Sequence, residues 1–435
     1  MKAVLLNLSS GQRADQLSLA GLPLLLRTVL SAQRAGIEEI HIIGGEHPGR
    51  LLGRDKRVKV KWHWTPLAAP HNSPTVRDTL GRVADDLSEE FVLLFADSIF
   101  DPKALAELRA AGLNGKAARV AVPAGATDLV EASLYLCSPK FFRLLAEADR
   151  LEGIKALAAR LRQQGRLDTV AVSGRLWPRT TSRKQLRLIH HELTRSNLKP
   201  SDGIFAKFNK LVVAEPLIRA FLRTPATPNF ITGLGLFFAL WSGWAFAQGS
   251  YDWSITGALL AYLSAIMDHV DGMVARLKFL ESKFGVWFES AVDFTSNLFI
   301  FGGLALGLYR ETGFTHHLMI GGLFVFGTIA SFITTSWQRK LASADNPTDY
   351  PNRIHAKLEA HQHNFFHWFT RKCYFLVRRA VLPYFILLFC LLDWRVLLLG
   401  WVTFGANLVW LLTLYNNRLF RVPHASQQAR ENIPP

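Results

Sequence analysis

Cysteine is almost missing: the chain has three in 435 residues, Cys137, Cys373 and Cys390. They stand too far apart for a disulfide framework or a metal-ligand spacing, and two lie in or beside apolar runs, where a small hydrophobe packs. There is no tandem repeat and no low-complexity tract, which excludes repeat arrays and linker-dominated chains. A signal peptide is not expected, because the N-terminal MKAVLLNLSSGQRADQ turns polar too soon. Acidic residues are scarce beside basic ones, 34 against 50, for a formal net charge of +16. Such an excess suits nucleic acid, anionic lipid or phosphorylated substrates; membrane lipids and phosphorylated substrates are the expected partners, and nucleic acid is not.

What the chain has in quantity is hydrocarbon. It is 49% hydrophobic and 19% charged, with a mean hydropathy of +0.15, between a soluble and a purely membrane protein. The two characters are segregated. Residues 1–198 read as soluble α/β: AVLLNL (Ala3 to Leu8), IEEIHIIGG (Ile37 to Gly45) and FVLLFADS (Phe91 to Ser98) look like buried strands. Helical patterns such as PLLLRTVLSAQRAG separate them, which argues for a mostly parallel sheet covered on both faces. At TPATPNFIT (Thr224 to Thr232) the composition changes, and six apolar stretches follow. They run from about Pro228 to Gln248, Trp253 to Ala275, Phe284 to Tyr309, Thr315 to Trp337, Tyr374 to Leu392 and Trp394 to Tyr415. Each is near the ~20 residues that cross a bilayer. The expected domains are thus an α/β domain over 1–198, a segment over 199–226, a six-helix membrane domain over 227–422 and a flexible tail over 423–435. Lys207, Lys210, Arg219 and Arg223 among apolar residues suit a segment lying on the membrane surface, or else a soluble helix packed on the first domain. The basic links Leu277 to Lys283 and Gln338 to Cys373 lie on one side, and little beyond Arg310 and Arg395 on the other. The positive-inside rule then puts the N-terminal domain and the C-terminus in the cytoplasm.

The apolar stretches contain carboxylates, which are costly in hydrocarbon without a partner or a role. Asp268 and Asp271 are three apart and share a helix face, which Ala275 continues. Gly285, Glu289 and Asp293 step by four and share a face of the next helix. A short basic turn joins the two, so four carboxylates can converge near the cytoplasmic end of a helix pair. Unpaired, they would repel and take up protons; two Mg²⁺ or Mn²⁺ ions would resolve this, as hard oxygen ligands suit both. Such a pair of ions would hold a diphosphate. Gly272 and Ala275 leave room for a flat base or diphosphate, and Arg276 could face a phosphate. An ion pathway in a transporter would also explain the acidic residues, but not Gly272, Ala275, Arg276 and Gly285. His269 reads as a packing or surface histidine. Arg378 and Arg379, in RKCYFLVRRAVLPYFILLF, could face an acceptor phosphate or bind lipid headgroups. His355, His361, His363 and His367 have no ligand spacing.

The pattern D-x-x-D-G-x-x-A-R, eight residues, then G-x-x-x-D-x-x-x-D resembles that of the CDP-alcohol phosphotransferase family. It is carried here by Asp268, Asp271, Gly272, Ala275, Arg276, Gly285, Glu289 and Asp293. TPNFIT also resembles the segment that opens that family's first transmembrane helix. The resemblance spans about Lys199 to Tyr415. It implies that Asp268, Asp271, Glu289 and Asp293 bind two divalent ions. It also implies that Asp293 is the general base, and that Asn229, Thr232, Asp268, Gly272, Ala275, Arg276 and Gly285 line a CDP pocket. The implied reaction is attack of an alcohol on the phosphorus of a CDP-linked donor, releasing CMP. Glu289 departs from the family's usual Asp; one more methylene moves the oxygens by about 1 Å, which can cost ~100-fold in rate.

The first half resembles the sugar-phosphate nucleotidyltransferase fold, an α/β Rossmann-like domain. MKAVLLNLSSGQR stands where that family has a strand and phosphate loop, LAGLPLLLRTVLSAQRAGIEEIHIIGG matches its next helix and strand, and FADSIFDP puts Asp97 at its metal position. Of the loop pattern only Gly11 and Arg13 survive, the following lysine is missing from LSLAGL, and Trp177 is followed by Pro178, Arg179 and Thr180 where a second metal Asp is usual. A domain without those charges is expected to be non-catalytic. The fusion of the two halves resembles inositol-phosphate cytidylyltransferase / di-myo-inositol-phosphate phosphate synthase proteins. The resemblances together imply phospholipid or polyol-phosphodiester synthesis from CDP-diacylglycerol or a CDP-polyol such as CDP-inositol. They also imply a homodimer in a bacterial or archaeal cytoplasmic membrane. A bifunctional cytidylyltransferase/phosphotransferase and a catalytically impaired scaffold are the alternatives.

Overall fold

The computed structural model describes residues 1–7, 17–66, 87, 89–124, 134–141, 153–179, 182–198, 204–342 and 381–416. The chain divides into two compact units, Met1–Ser196 and Asn197–Pro435.

In the first unit, seven strands form one sheet: β1 (Lys2–Leu6), β2 (Glu39–Ile43), β3 (Lys61–Thr65), β4 (Phe91–Phe95), β5 (Ala118–Pro123), β6 (Leu134–Cys137) and β7 (Leu167–Val172). Their order is β7-β5-β6-β4-β1-β2-β3. Four ladders are parallel, with Val4 opposite both His41 and Leu93. The short β6 runs against both its neighbours, so the mostly parallel sheet read from the sequence contains one reversed strand. Ala3–Leu6 and Phe91–Phe95 are buried at every position. Successive side chains point to opposite faces, so both faces of the central sheet are covered. The core gathers Val4, Phe91, Leu93, Tyr135, Cys137 and Phe141, each a fully buried group.

Among the described residues, four helices of ten or more residues accompany the sheet: α1 (Leu24–Arg34), α2 (Pro102–Ala111), α3 (Gly153–Gln163) and α4 (Arg183–Ser196). Asp101 starts α2, its side chain accepting from the Lys103 backbone N–H at 2.9 Å with Pro102 at the first helical position. A two-residue strand, Ile99–Phe100, pairs antiparallel with Leu176–Trp177.

The second unit is helical. Among the described residues, five helices are long and apolar enough to cross a membrane: α6 (Pro228–Phe246), α7 (Tyr251–Leu277), α8 (Lys283–Thr312), α9 (His316–Ala342) and α11 (Arg395–Asn416). Of the fifth expected crossing, Tyr374 to Leu392, only the part from Val381 lies among the described residues, as α10 (Leu382–Leu391). Before the first long helix come one helical turn (Ile204–Phe208), a π-helical turn (Asn209–Val213) and α5 (Glu215–Leu222). They expose Ile204, Phe208 and Val212.

The helix starts are written locally: Thr227, Ser250 and Ser282 cap α6, α7 and α8 with their side-chain oxygens. Gly313 ends α8 at φ 73°, a left-handed cap that a side chain would strain. The 27 residues of α7 and 30 of α8 give lengths of about 40 and 45 Å, more than the ~30 Å of hydrocarbon. Their joined ends can therefore reach beyond the apolar layer.

Close helix contact explains the glycines of this half. A Cβ at Gly303 would meet the Gly243 carbonyl oxygen at 2.1 Å, and one at Gly307 the Phe246 oxygen at 1.9 Å. Helices α6 and α8 thus touch backbone to backbone, as small residues allow in membranes. Phe246, Phe301, Leu304, Phe324, Ile386 and Leu398 fill the core. Phe230, Met319, Phe326, Ile333 and Phe404 point outward, where lipid suits them better than water. The two arginines of the far end are both engaged. Arg395 bonds Glu311 at 2.9 Å and Asp393 at 2.6 Å, and Arg310 donates to the Ala247 carbonyl at 2.6 Å.

Candidate active site

The acidic positions lie in the last turns of α7 and the first turns of α8. Asp268, Glu289 and Asp293 each present an oxygen within 4.8 Å of the other two. Around an octahedral ion bonded at about 2.1 Å, ligand oxygens stand about 3 Å apart in cis and about 4 Å in trans; a small side-chain adjustment closes the cluster to that size. The longer Glu289 side chain reaches it.

Asp271, one turn on from Asp268, is directed to α6 as well. Its carboxylate accepts from the Thr232 hydroxyl at 2.5 Å, which links the helix start at TPNFIT to the acidic face. Its other oxygen is buried and has no hydrogen-bond partner among the described residues. A buried carboxylate oxygen left unmatched is costly, and a cation is the economical partner. Asp268 and Glu289 lie close enough for their charges to act on it. A cavity of about 80 Å³ lies among Thr232, Asp268, Asp271, Asp293, Ser296 and Pro383.

The small positions do what their size allows. A Cβ at Gly285 would stand 3.1 Å from the Ser282 hydroxyl and 3.5 Å from the Asn229 amide oxygen, so Asn229 and Gly285 adjoin. The Arg276 guanidinium lies over Gly272, with an Nη atom 3.4 Å from where a Cβ would be. It also donates from Nε to the Asn197 carbonyl at 3.0 Å. Ala275 is half-buried between them.

His269 is buried, with Nε2 3.3 Å from the Asn209 amide nitrogen. Tyr384 donates to the Asn209 amide oxygen and Tyr262 to the Tyr384 hydroxyl. This polar network behind Asp268 was not read from the sequence. Its members are spread from 209 to 384, and only the π-helical turn at Asn209 marks it, a distortion frequent at functional sites. Lys278, in the turn after α7, donates to the carbonyls of Phe221 and Thr224 at 3.0 and 2.6 Å. It thereby ties α7 to the entry of α6.

Arg378, Arg379, Cys373, Gly11, Arg13, Thr180 and the four loop histidines lie outside the described residues. Asp97 is described, and its carboxylate accepts from Arg179 Nε at 2.8 Å.

Residues 225–360 match the CDP-alcohol phosphatidyltransferase family. A protein of Rubrobacter xylanophilus named a bifunctional IPC transferase and DIPP synthase is 26% identical over 318 residues, covering 66% of this chain and 71% of that one. A protein of Aquifex aeolicus with the same name is 22% identical over 316 residues, covering 67% and 72%. Among solved structures, a putative glucose-1-phosphate thymidylyltransferase from Bacillus anthracis covers 43% of this chain and 94% of its own, at 17% identity and a TM-score of 0.34. A UDP-glucose pyrophosphorylase from Acinetobacter baumanii covers 49% and 98%, at 14% identity and a TM-score of 0.35.

Proposed function

We propose, from the premise that residues 225–360 form a CDP-alcohol phosphatidyltransferase domain, that this chain is an integral membrane enzyme moving a substituted phosphate from a CDP-linked alcohol to an alcohol acceptor. The observation that carries the reading to individual residues is the meeting of Asp268, Glu289 and Asp293 from adjacent helices. The donor set fits two Mg²⁺ or Mn²⁺ ions: it is all carboxylate oxygen, and Asp271 adds an unmatched buried one. Asp268, Asp271, Glu289 and Asp293 would hold the ions. Bound there, they supply charge neutralisation to the diphosphate and to the departing phosphate oxygen.

The rest of the chemistry falls to the chain itself. Asn229, Thr232, Gly272, Ala275, Arg276 and Gly285 form the CDP pocket, with small residues giving the diphosphate close approach and Arg276 its charge. The Asp293 carboxylate takes the proton of the acceptor hydroxyl. The acceptor oxygen bonds to the phosphorus carrying the transferred alcohol, the phosphorus–oxygen bond to CMP breaks, and CMP leaves with that electron pair. A positioned general base of this kind contributes ~10²–10⁴ in rate. The donor is CDP-diacylglycerol or a CDP-polyol such as CDP-inositol, and the acceptor an alcohol whose phosphate, where it has one, meets Arg378 and Arg379. Positive-inside charge places the α/β domain over 1–198 and the C-terminus on the cytoplasmic side of a bacterial or archaeal membrane. The segment 199–226 lies on the membrane surface, 227–422 forms the membrane domain and 423–435 a tail. A homodimer in contact with anionic lipids completes the reading.

The test is CMP release by the purified chain from a panel of CDP-linked donors and alcohol acceptors, with Mg²⁺ or Mn²⁺. Metal-dependent release that disappears in Asp293→Asn is expected; no release from any pair would refute the proposal. The names of the two bifunctional relatives favour a second reading, in which the first domain also makes the CDP-alcohol from CTP. Pyrophosphate production from CTP distinguishes it.

A further inference from the structure

The C-terminal ends of β1, β2 and β4 meet at one edge of the first unit's sheet. Asn7 donates its backbone N–H to the Ile43 carbonyl, and Ala96 to the Leu6 carbonyl, both at 2.9 Å. In open α/β sheets, ligands bind outside such strand ends. Asp97 stands there on a firm turn. Ser98 accepts from the Phe95 backbone N–H at 3.1 Å, and its carbonyl accepts from the Thr28 hydroxyl at 2.8 Å.

Arg179 is brought to Asp97 by strand register. Leu176 pairs with Phe100 and Trp177 with Ile99; two residues further on, the same register sets Arg179 opposite Asp97. Trp177 is itself anchored, its indole donating to Glu192 at 2.9 Å. The guanidinium is then gripped twice, through Nε on Asp97 at 2.8 Å and with its carbon 3.7 Å from the centroid of the Phe95 ring. Neither Nη group donates to a described residue. The side chain keeps about a third of its exposure, while that of Asp97 keeps 12%.

This arrangement does not fit a divalent ion on Asp97. Its oxygen already carries an organic cation, whose charge would repel the ion, and no cluster of three metal-ligating groups includes Asp97 among the described residues. A guanidinium fixed by Nε and by an aromatic face, with its two Nη groups left over, is instead built to receive a phosphate in fork geometry. We propose that Arg179 takes the place of a metal ion on Asp97, making this sheet edge a metal-independent site for a phosphorylated ligand, a nucleotide or a polyol phosphate. Nucleotidyl transfer is then not its task, and the CDP-linked donor used in the membrane half is made by a separate cytidylyl transfer.

The test uses the full chain in detergent with EDTA, which keeps divalent ions from the acidic cluster. Hydrogen exchange is followed with CTP, CMP or glycerol 3-phosphate as probes. At least one probe should slow exchange in peptides covering 95–101 and 175–179, and adding Mg²⁺ should not tighten it. Arg179→Ala should weaken that probe by about tenfold or more, the value of a charged phosphate contact. Arg179→Lys should recover part of the loss. Asp97→Asn keeps the guanidinium and removes the competing charge, so it should bind at least as tightly as the parent and serves if Arg179→Ala does not fold. No protection by any probe, protection that requires Mg²⁺, equal binding by Arg179→Ala, or pyrophosphate from CTP and a polyol phosphate would each overturn the proposal.

Discussion

Two acidic sites in this molecule are answered in opposite ways. In the membrane half, Asp268, Glu289 and Asp293 converge on one another, so like charges meet, and bound divalent ions are the balance proposed for them. In the α/β half, Asp97 converges with Arg179, and the balance is covalently part of the protein. The first arrangement suits ions of the kind proposed to share a diphosphate. The second removes the need for them and leaves a guanidinium to spare. A carboxylate at a plausible metal position is therefore read from the sign of the nearest fixed charge, not from its place in a motif.

The sharpest way to break this comparison is a pair of substitutions. Asp293→Asn should lower CMP release by about 10³-fold, since it takes away the proposed general base, and should blunt thermal stabilisation by Mn²⁺. Asp97→Asn should leave Mn²⁺ stabilisation intact. A loss of Mn²⁺ response in Asp97→Asn would place a metal where Arg179 stands.

The scaffold under the acidic cluster comes next. Gly303→Leu would drive a side chain into the Gly243 carbonyl, and overpacking of this kind costs up to about 3 kcal/mol. Loss of the folded, monodisperse species in detergent is the readout, and Gly302→Leu, where a Cβ meets open space, is the control. The membrane half also has a site of the internally balanced kind, Arg395 with Glu311 and Asp393. Arg395→Leu should cost about 2 kcal/mol, less than the ~3–5 for a fully buried pair because both acids are partly exposed. It should leave the metal dependence of CMP release unchanged.

Glu289→Asp should slow CMP release by about tenfold, because a shortened side chain draws its oxygen back from a cluster that closes with glutamate. A faster enzyme would show that the glutamate is a handicap. The smallest effect concerns Asp55, whose carboxyl is held below its usual range by hydrogen bonding to Arg57. A lowered folded value means that the ionised form stabilises the fold. The contribution is present above the unfolded value of about 3.9 and is lost as pH falls through the folded one. Asp55→Asn should cost about 0.5–1 kcal/mol at neutral pH, and its melting temperature should fall less than the parent's between pH 5 and pH 3.

Local periodicity made much of this legible. Buried strands show as unbroken apolar runs, and β1, β2 and β4 coincide with three of them. Spans of about 20 apolar residues mark membrane helices because backbone groups in lipid must pair within the helix. The start of the fifth crossing, with Arg378 and Arg379, lies outside the described residues, so it rests on the sequence alone. The reversal of β6 was not legible, because four apolar residues read the same in either direction. Nor was the network joining Asn209, His269, Tyr262 and Tyr384, since single polar residues in separate helices carry no spacing signal.

By itself the sequence determined which residues share a helix face: a three- or four-residue step fixes that for Asp268 and Asp271, and for Gly285, Glu289 and Asp293, whatever surrounds the helix. Only the tertiary structure decided which carboxylates meet, sending Asp271 to Thr232 while closing the other three together. It alone brought Arg179 across 82 residues to Asp97. Faces follow from the geometry of one helix, whereas contacts follow from how separate elements pack and register, and no short stretch of chain contains that information.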